Sequence, residues 1–247
     1  QLERGVLSAL ATTRNDLPTC WRDLINPPAE LPWYDGFDCP LPIDATNEEL
    51  QQLTEEFSTA CSKAEVELAD VRTWLVFPRE FNDLTEKYGT KGAALSHVTI
   101  ALLRQIIDSL PSTPHPLSPI LFHITCDKHG GRNRYAALLQ HHFSEHWIET
   151  HEESTAISRY SWSTADAEFH ISFQARGEAN LPTALASMTA KYHRELAMRA
   201  FNAYWCKHVP GLKPTAGYPV DAKRFKQAIA DKQTELGIED ADLWRNR

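Results

Sequence analysis

Residues 119–127, PILFHITCD, form a short and dense apolar run that decides the fold. A run of this length, preceded by several prolines and followed by a glycine-containing loop, is typical of a strand buried at the centre of a sheet. The run ends at Asp127, which opens the loop DKHGGRNRY. The sequence therefore predicts a central strand that ends in a carboxylate.

The elements predicted around this strand alternate between helices and strands. Before it, an apolar stripe predicts a helix over 90–109. Nearer the start of the chain we predict a helix over 1–24, a proline-rich loop over 25–45, a helix over 46–66 and a strand over 69–78. After the central strand we predict a helix over 135–146, three strands of which the last two form a hairpin that turns at 163–166, and helices over 180–207 and 220–236. This alternation is typical of an α/β domain.

The composition limits the class of protein. At 247 residues and 42% hydrophobic content, the chain can bury a substantial core. No apolar run approaches the roughly 18 residues that a membrane-spanning helix needs. The five cysteines are odd in number and lack C-x-x-C spacing, which favours free thiols in a reduced, cytoplasmic compartment. The sequence leaves the oligomeric state open.

The net charge of −8 is unevenly distributed along the chain. Residues 188–226 hold eight Lys and Arg against two acids, which gives this segment a local charge of +6. An acidic body with one basic segment is compatible with a phosphate-binding face. An ordinary solvated helix surface would have the same composition.

The segment TALASMTAKYHRELAM, at positions 183–198, carries the strongest functional pattern. Ser187, Lys191, Arg194 and Glu195 are three or four residues apart, so a hydroxyl, two cations and a carboxylate share one helix face. The tight turn PTAGY follows at 214–218. Together these features predict that an anionic ligand binds here.

The same segment resembles the C-terminal signature of type 2 ribonucleases H (ribonuclease HII), A-A-S-I-x-A-K-x-x-R-D-x-x-M followed by G-Y-G-T. The matching residues are Ala186-Ser187, Ala190-Lys191, Arg194, Met198 and Gly217-Tyr218, and Glu195 stands where the family has an aspartate. The resemblance spans roughly 119–226. It implies one ribonuclease H-like domain over 1–247, a mixed sheet flanked by helices, with insertions near 25–60 and 150–165.

The resemblance also implies a chemistry. The family holds two divalent metal ions between carboxylates from neighbouring strands and a helix, and it hydrolyses the RNA strand of RNA–DNA hybrids or of DNA that contains ribonucleotides. Asp127 and Glu195 become the expected catalytic metal ligands, and hard oxygen ligands imply Mg²⁺ or Mn²⁺. Ser187, Lys191 and Arg194 become expected phosphate contacts. Tyr218 matches the tyrosine that senses the 2′-hydroxyl.

Each of these residues also has a structural interpretation. Asp127 could cap its own loop, Glu195 could pair with Arg199 one helical turn later, and Tyr218 could pack beneath its turn. Glu178, in a Gly-Glu pair that resembles the family's Gly-Asp, is interpreted as an acid in a first helical turn.

One family motif is absent from the sequence. Family members begin with a strand that ends in D-E-A-G-x-G and supplies the first two metal ligands, whereas this chain opens with the helical pattern LERGVLSAL. We therefore expect an N-terminally incomplete ribonuclease H-like fold that is inactive as this fragment. The alternative is a non-catalytic nucleic-acid- or protein-binding domain with a degenerate fold.

Two other chemistries are disfavoured. His142 and His146 have the i, i+4 spacing of zinc ligands, with Glu145 and Glu149 close by, but no H-E-x-x-H motif or clear third ligand follows. Cys126 lies in the apolar strand and is expected to be part of the core rather than a nucleophile. The sequence shows no phosphate-binding loop and no dinucleotide-binding fingerprint, which disfavours a small-molecule enzyme of another α/β type.

Overall fold

The computed structural model describes residues 1–14, 16–25, 30–110 and 119–246. The chain divides into two compact units, the first made of Gln1–Arg79 and Leu185–Arg247, the second of Glu80–Ala184. Each unit has its own cluster of buried apolar side chains. The assignment of 1–247 to one domain stays a prediction, and residues 26–29 of the predicted insertion at 25–60 lie outside the described residues.

The described secondary structure comprises helices and one sheet. In chain order the helices are α1 (Leu2–Arg14), α2 (Asn47–Lys63), α3 (Pro78–Tyr88), α4 (Lys91–Asp108), α5 (Ala136–His142), α6 (Leu181–His208), α7 (Pro219–Glu235) and α8 (Asp240–Leu243), with 3-10 turns at Trp21–Asp23 and Gly177–Ala179. The strands are β1 (Ile120–Asp127), β2 (Glu149–Glu153), β3 (Ile157–Ser163) and β4 (Ala167–Gln174).

Aromatic side chains fill the core of the first unit. Trp21, Trp205 and Phe225 are fully buried, and the ring of Phe201 lies 5.5 Å from that of Phe225. Helix α6 supplies Tyr192, Leu196 and Ala200 to this core, one residue per turn. Because these residues occupy one side of α6, the opposite side carries the exposed side chains of Lys191, Arg194 and Glu195.

A buried carboxylate connects three segments of the first unit. Glu3, only 6% exposed, accepts backbone hydrogen bonds from Ile43, Asp44 and Ala45 at 2.7–2.9 Å and a hydroxyl hydrogen bond from Tyr192 at 2.9 Å. Burial raises the pKa of Glu3, but the four hydrogen bonds outweigh burial and hold the pKa below its usual value. Glu3 thereby fastens α1 and the 43–45 segment to α6.

The second unit is built on a four-stranded mixed sheet with the order β1-β4-β3-β2. β1 pairs with β4 in parallel, and β4, β3 and β2 form an antiparallel meander. The turn between β3 and β4 is held by Thr164, whose hydroxyl oxygen accepts the amides of Asp166 and Ala167. The predicted α/β class, with a mixed sheet flanked by helices, is confirmed.

The two faces of this sheet differ in polarity. One face is apolar and joins the core: Phe169 stacks between Phe122 and Trp162, and Phe173 stacks on Tyr135 at 3.7 Å. The register places polar residues on the other face, namely His123, Thr125 and Asp127 of β1, His170, Ser172 and Gln174 of β4, and Arg159 and Ser161 of β3. Side chains of successive strand residues alternate between faces, which produces this division.

The predicted central position of β1 is wrong. Among the described strands β1 lies at the edge of the sheet, paired on one side with β4. Ile120 and Leu121 near its start are exposed, Leu121 by 51%. The apolar run therefore becomes a strand as predicted, but in this structure its second side has no strand partner within the described part of the chain.

Of the other predicted helices and strands, some are confirmed and some are wrong. The helices predicted over 46–66 and 90–109 are confirmed as α2 and α4, each capped by a threonine side chain, Thr46 or Thr90. The hairpin at 163–166 is also confirmed. The strand predicted over 69–78 is wrong: the chain there is irregular until α3 begins, and Val71, Leu75 and Phe77 pack individually on the core. The helix predicted over 1–24 ends at Arg14.

Replacing Glu3 by Gln is expected to destabilise the first unit by about 2–3 kcal/mol, because the amide NH₂ would face backbone donors that now point at a carboxylate. The depressed pKa has a further consequence. Its contribution to stability is complete above the usual pKa of 4.5 and is lost as the pH falls through the lower folded value. Urea denaturation at several pH values measures both effects, and the exposed Glu67→Gln is the control. Equal stability of the two variants at pH 7 would contradict the prediction.

Candidate functional site

The predicted ligand Asp127 ends β1 beside the end of the parallel strand β4. Asp127 and Gln174 are register partners, and both lie at the carboxyl ends of their strands. Ligands of α/β proteins generally bind at this end of parallel strands. We call the group Asp127, Gln174, Gly177 and Glu178 the strand-end site.

A close contact between Asp127 and Gly177 fixes the strand-end site. The amide of Gly177 donates to Asp127 Oδ1 at 2.7 Å, and a Cβ at position 177 would lie 2.8 Å from that oxygen. Glycine is therefore required for the loop after β4 to approach the carboxylate. Among the described residues, the hydrogen-bond partner of the Asp127 side chain is the Gly177 amide, so Asp127 does not cap its own loop.

Glu178 directly follows Gly177 in the chain. The hydrogen bond to Gly177 brings the backbone next to Glu178 against Asp127, so a second carboxylate residue directly follows the contact. Glu178 does occupy a first turn, as interpreted, but of the separate 3-10 turn Gly177–Ala179 rather than of α6.

Polar residues of the loop after Asp127 hold that loop in place. Lys128 Nζ donates to Asn133 Oδ1 at 3.0 Å, to the Ser154 carbonyl at 2.6 Å and to Ser158 Oγ at 3.0 Å. The buried His129 lies within 3.0 Å of Ser96 Oγ through Nδ1. Burial lowers the pKa of His129 to about 4, so the ring is neutral at pH 7. The contacts of Lys128 and His129 therefore stabilise the fold of this loop.

The polar sheet face leads along the strands to Asp127. It forms an open depression of about 470 Å³ whose lining includes His123, Thr125, His170, Ser172 and Arg159. The rings of His123 and His170 lie 5.7 Å apart on neighbouring strands. This face carries hydroxyl, imidazole and guanidinium groups, of which Arg159 pairs with Glu152 and His170 contacts Glu168.

The second predicted surface forms where α6 meets the PTAGY turn, and we call it the tyrosine turn (Arg194 with residues 214–218). Arg194 donates to the Ala216 carbonyl at 2.5 Å, and its guanidinium lies 5.8 Å from the centre of the Tyr218 ring. Tyr218 is 67% exposed, so it does not pack beneath the turn. The structure thus brings Arg194 and Tyr218, two of the predicted substrate-binding residues, together.

A network of side chains makes the tyrosine turn rigid. Asn202 exchanges two hydrogen bonds with the Thr215 backbone at 2.8 and 2.9 Å. Asp221 accepts from the Thr215 hydroxyl at 2.6 Å, from the Ala216 amide at 2.9 Å and from Arg224 at 2.7 Å. These partners, led by the Thr215 hydroxyl, lower the pKa of Asp221 to about 2. Asn202 and Asp221 were missed by sequence reasoning because neither belongs to a recognised motif.

The remaining predicted residues lie on α6 near the tyrosine turn. Ser187 is half-buried, whereas Lys191 and Glu195 are exposed. Glu195 makes no hydrogen bond or ion pair with the described residues. The alternative partner, Arg199, approaches Asp44 instead, at 4.0 Å. Asp127 belongs to the second unit and Glu195 to the first, so their pairing in one metal site stays a prediction.

The structure adds one observation on membranes. Across the ranges that it describes, no helix combines the length and the apolar character needed to cross a bilayer.

Replacing Gly177 by Ala is expected to displace Asp127 and to lower the free energy of unfolding by about 1–3 kcal/mol, since the new methyl group would collide with Asp127 Oδ1 and approach Thr183 to 3.3 Å. Chemical denaturation measures the change. Gly131→Ala is the matched control, because a Cβ there would meet no atom within 4 Å. Equal losses of unfolding free energy in Gly177→Ala and Gly131→Ala would contradict the close contact between Gly177 and Asp127.

Replacing Asp221 by Asn is expected to loosen the tyrosine turn, because the carboxylate that accepts from Thr215 and Ala216 is lost. In the unchanged protein the low pKa keeps this carboxylate ionised, so the Ala216 amide resonance should stay constant from about pH 7 to about pH 3 and shift only towards pH 2. Amide NMR during a pH titration measures this, with the exposed Asp231→Asn as control. A midpoint near 4 would refute the network.

The fold and both surfaces were also compared with known proteins. Comparisons with protein-family models, with curated proteins and with solved structures find no match to this chain. The assignment of a function therefore depends on the sequence motifs and on the geometry of the strand-end site and the tyrosine turn.

Proposed function

We propose that this chain is a divergent relative of ribonuclease HII, with a ribonuclease H-like fold. Its ligand is an RNA–DNA hybrid or DNA that contains ribonucleotides. In the family reaction two divalent ions, Mg²⁺ or Mn²⁺, activate water and stabilise the leaving oxygen during phosphodiester hydrolysis. A cytoplasmic location accompanies the proposal.

The observation that carries the proposal is the tyrosine turn. Arg194 and Gly217-Tyr218 belong to two separate motifs of the family signature, and the contact of Arg194 with Ala216 joins those motifs in space. The turn presents the exposed ring of Tyr218 beside the guanidinium of Arg194. Lys191 lies one helical turn before Arg194 on α6. An aromatic ring for stacking and cations for phosphates are the groups that nucleic acids require.

The strand-end site supports the catalytic part. Asp127 lies where a metal ligand is expected, and Glu178 follows its contact with Gly177. Oxygen ligands of this kind suit Mg²⁺ or Mn²⁺. The family takes its carboxylates from neighbouring strands, and the unpaired side of β1 among the described strands offers a place for such a neighbour.

A non-catalytic nucleic-acid-binding domain is the second candidate. It is favoured by the limited number of carboxylates at the strand-end site together with the absence of D-E-A-G from the sequence. In that case the tyrosine turn would bind its ligand without cleavage. The two candidates share the binding surface and differ in the metal chemistry.

Replacing Tyr218 by Ala is expected to weaken binding to a duplex with one ribonucleotide by about tenfold and to remove the preference for this duplex over all-DNA, because the stacking ring is lost. Fluorescence anisotropy with labelled duplexes measures both quantities. Trp147→Ala removes another highly exposed aromatic ring, 84% exposed, and should change neither. Equal binding by Tyr218→Ala and the unchanged protein would exclude the tyrosine turn as the ligand surface.

Two further variants separate the candidates. Lys191→Gln should reduce the slope of log affinity against log salt by about 1 if Lys191 neutralises one phosphate. Cleavage in Mg²⁺ or Mn²⁺, by this chain or by an N-terminally extended form, that disappears in Asp127→Asn would favour the nuclease. Binding without cleavage by either form would favour the binding domain.

A further inference from the structure

Three histidine side chains converge between α4 and α5 in the second unit. His97 of α4 places Nδ1 at 3.0 Å from Nε2 of His142, which ends α5. His141 precedes His142, and its ring meets that of His97 edge-on with centroids 5.5 Å apart. One ring nitrogen from each histidine lies within 4.8 Å of the other two.

These distances are close to those of a metal site. Histidine nitrogens bind zinc at about 2.0–2.1 Å, which in a tetrahedron places them roughly 3.3 Å apart. The separation of 3.0 Å between His97 and His142 needs only a small increase. His141 is exposed, so its side chain is free to rotate towards the other two.

The position of His97 is determined before any ion binds. Tyr88 stacks on the His97 ring with a centroid distance of 3.6 Å and an interplanar angle of 9°. Arg104, which is also on α4, donates to the His142 carbonyl at 3.1 Å and so ties the end of α5 to α4. A ligand pair held in this way loses little conformational freedom when it binds an ion.

The electrostatic environment favours neutral imidazoles. Burial lowers the pKa of His97 to about 4 and also lowers the pKa of His142. Imidazole nitrogens suit Zn²⁺, whereas a hard ion such as Mg²⁺ prefers oxygen ligands. The nearby cations Lys87 and Arg132 oppose the binding of any cation and therefore limit the affinity of the site.

The third ligand that the sequence did not reveal comes from a helix about 45 residues earlier. The i, i+4 spacing in the helix predicted over 135–146 pointed to His142 and His146. In the structure α5 ends at His142, which pairs with His97, and His146 is not a member of the cluster. We infer that His97, His141 and His142 bind one Zn²⁺ ion, with water in the fourth position. This site is independent of the proposed nuclease chemistry.

The test is a titration of the metal-free chain with Zn²⁺, followed by isothermal calorimetry, together with the absorption spectrum of the Co²⁺-substituted protein. We expect one site whose affinity falls at least about tenfold in His97→Gln, His141→Asn and His142→Gln, and a four-coordinate cobalt spectrum that each variant loses. His146→Gln is the matched control and should leave both readouts unchanged.

The same experiment can overturn the inference. The absence of a Zn²⁺ site in the unchanged chain would do so, as would a Zn²⁺ affinity in all three cluster variants that equals the affinity of the unchanged chain. If His97→Gln fails to fold, as judged by circular dichroism, the exposed His141→Asn decides the outcome. Loss of binding in His146→Gln with retention in His97→Gln would assign the metal to the pair His142 and His146 instead.

Discussion

The carboxylate of Glu3 is the constraint on which the first unit depends. It receives four hydrogen bonds, three from backbone amides of residues 43–45 and one from Tyr192 of α6, in surroundings that exclude water. A buried charge is tolerated only when it is satisfied in this way, so the segments that supply the donors cannot move apart without a large cost. Because Tyr192 faces this carboxylate, α6 turns Lys191, Arg194 and Glu195 outward. The orientation of the proposed ligand-binding face thus follows from a residue near the start of the chain.

Both candidate surfaces use the same physical arrangement. A network of satisfied polar groups holds a short loop, and the loop presents one exposed functional group. At the tyrosine turn, Asn202 and Asp221 hold the backbone and Tyr218 is presented; at the strand-end site, Lys128 holds the loop and Asp127 is presented. Lys128 and Arg224 donate hydrogen bonds that hold these loops. Arg194 also donates within the fold, to the Ala216 carbonyl, while its guanidinium lies beside the exposed ring of Tyr218.

Helix caps and the hairpin were predicted correctly, because local chemistry decides them, whereas the position of β1 within the sheet and the irregular conformation of residues 69–78 were not. Thr46 and Thr90 mark the starts of α2 and α4 because a side-chain oxygen satisfies an exposed amide within three residues. The run at 119–127 has the apolar content of a central strand. Within it, however, His123, Thr125 and Asp127 alternate with Phe122, Ile124 and Cys126. That alternation predicts one polar face, which the structure contains. The irregular 69–78 segment has the composition of a strand but no strand partner among the described residues, and a strand needs one.

The sequence by itself determined the α/β class, the caps, the hairpin and the motif residues Arg194 and Tyr218, since these depend on periodicity and on neighbours within a few residues. Tertiary structure decided which of these residues meet. Three contacts join positions 40 or more residues apart. They are the contact of Asp127 with Gly177, that of His97 with His142, and that of the buried Glu3 with Asp44. Such contacts arise from packing, in which many weak apolar interactions select one arrangement of helices and strands. Local sequence patterns do not contain that information.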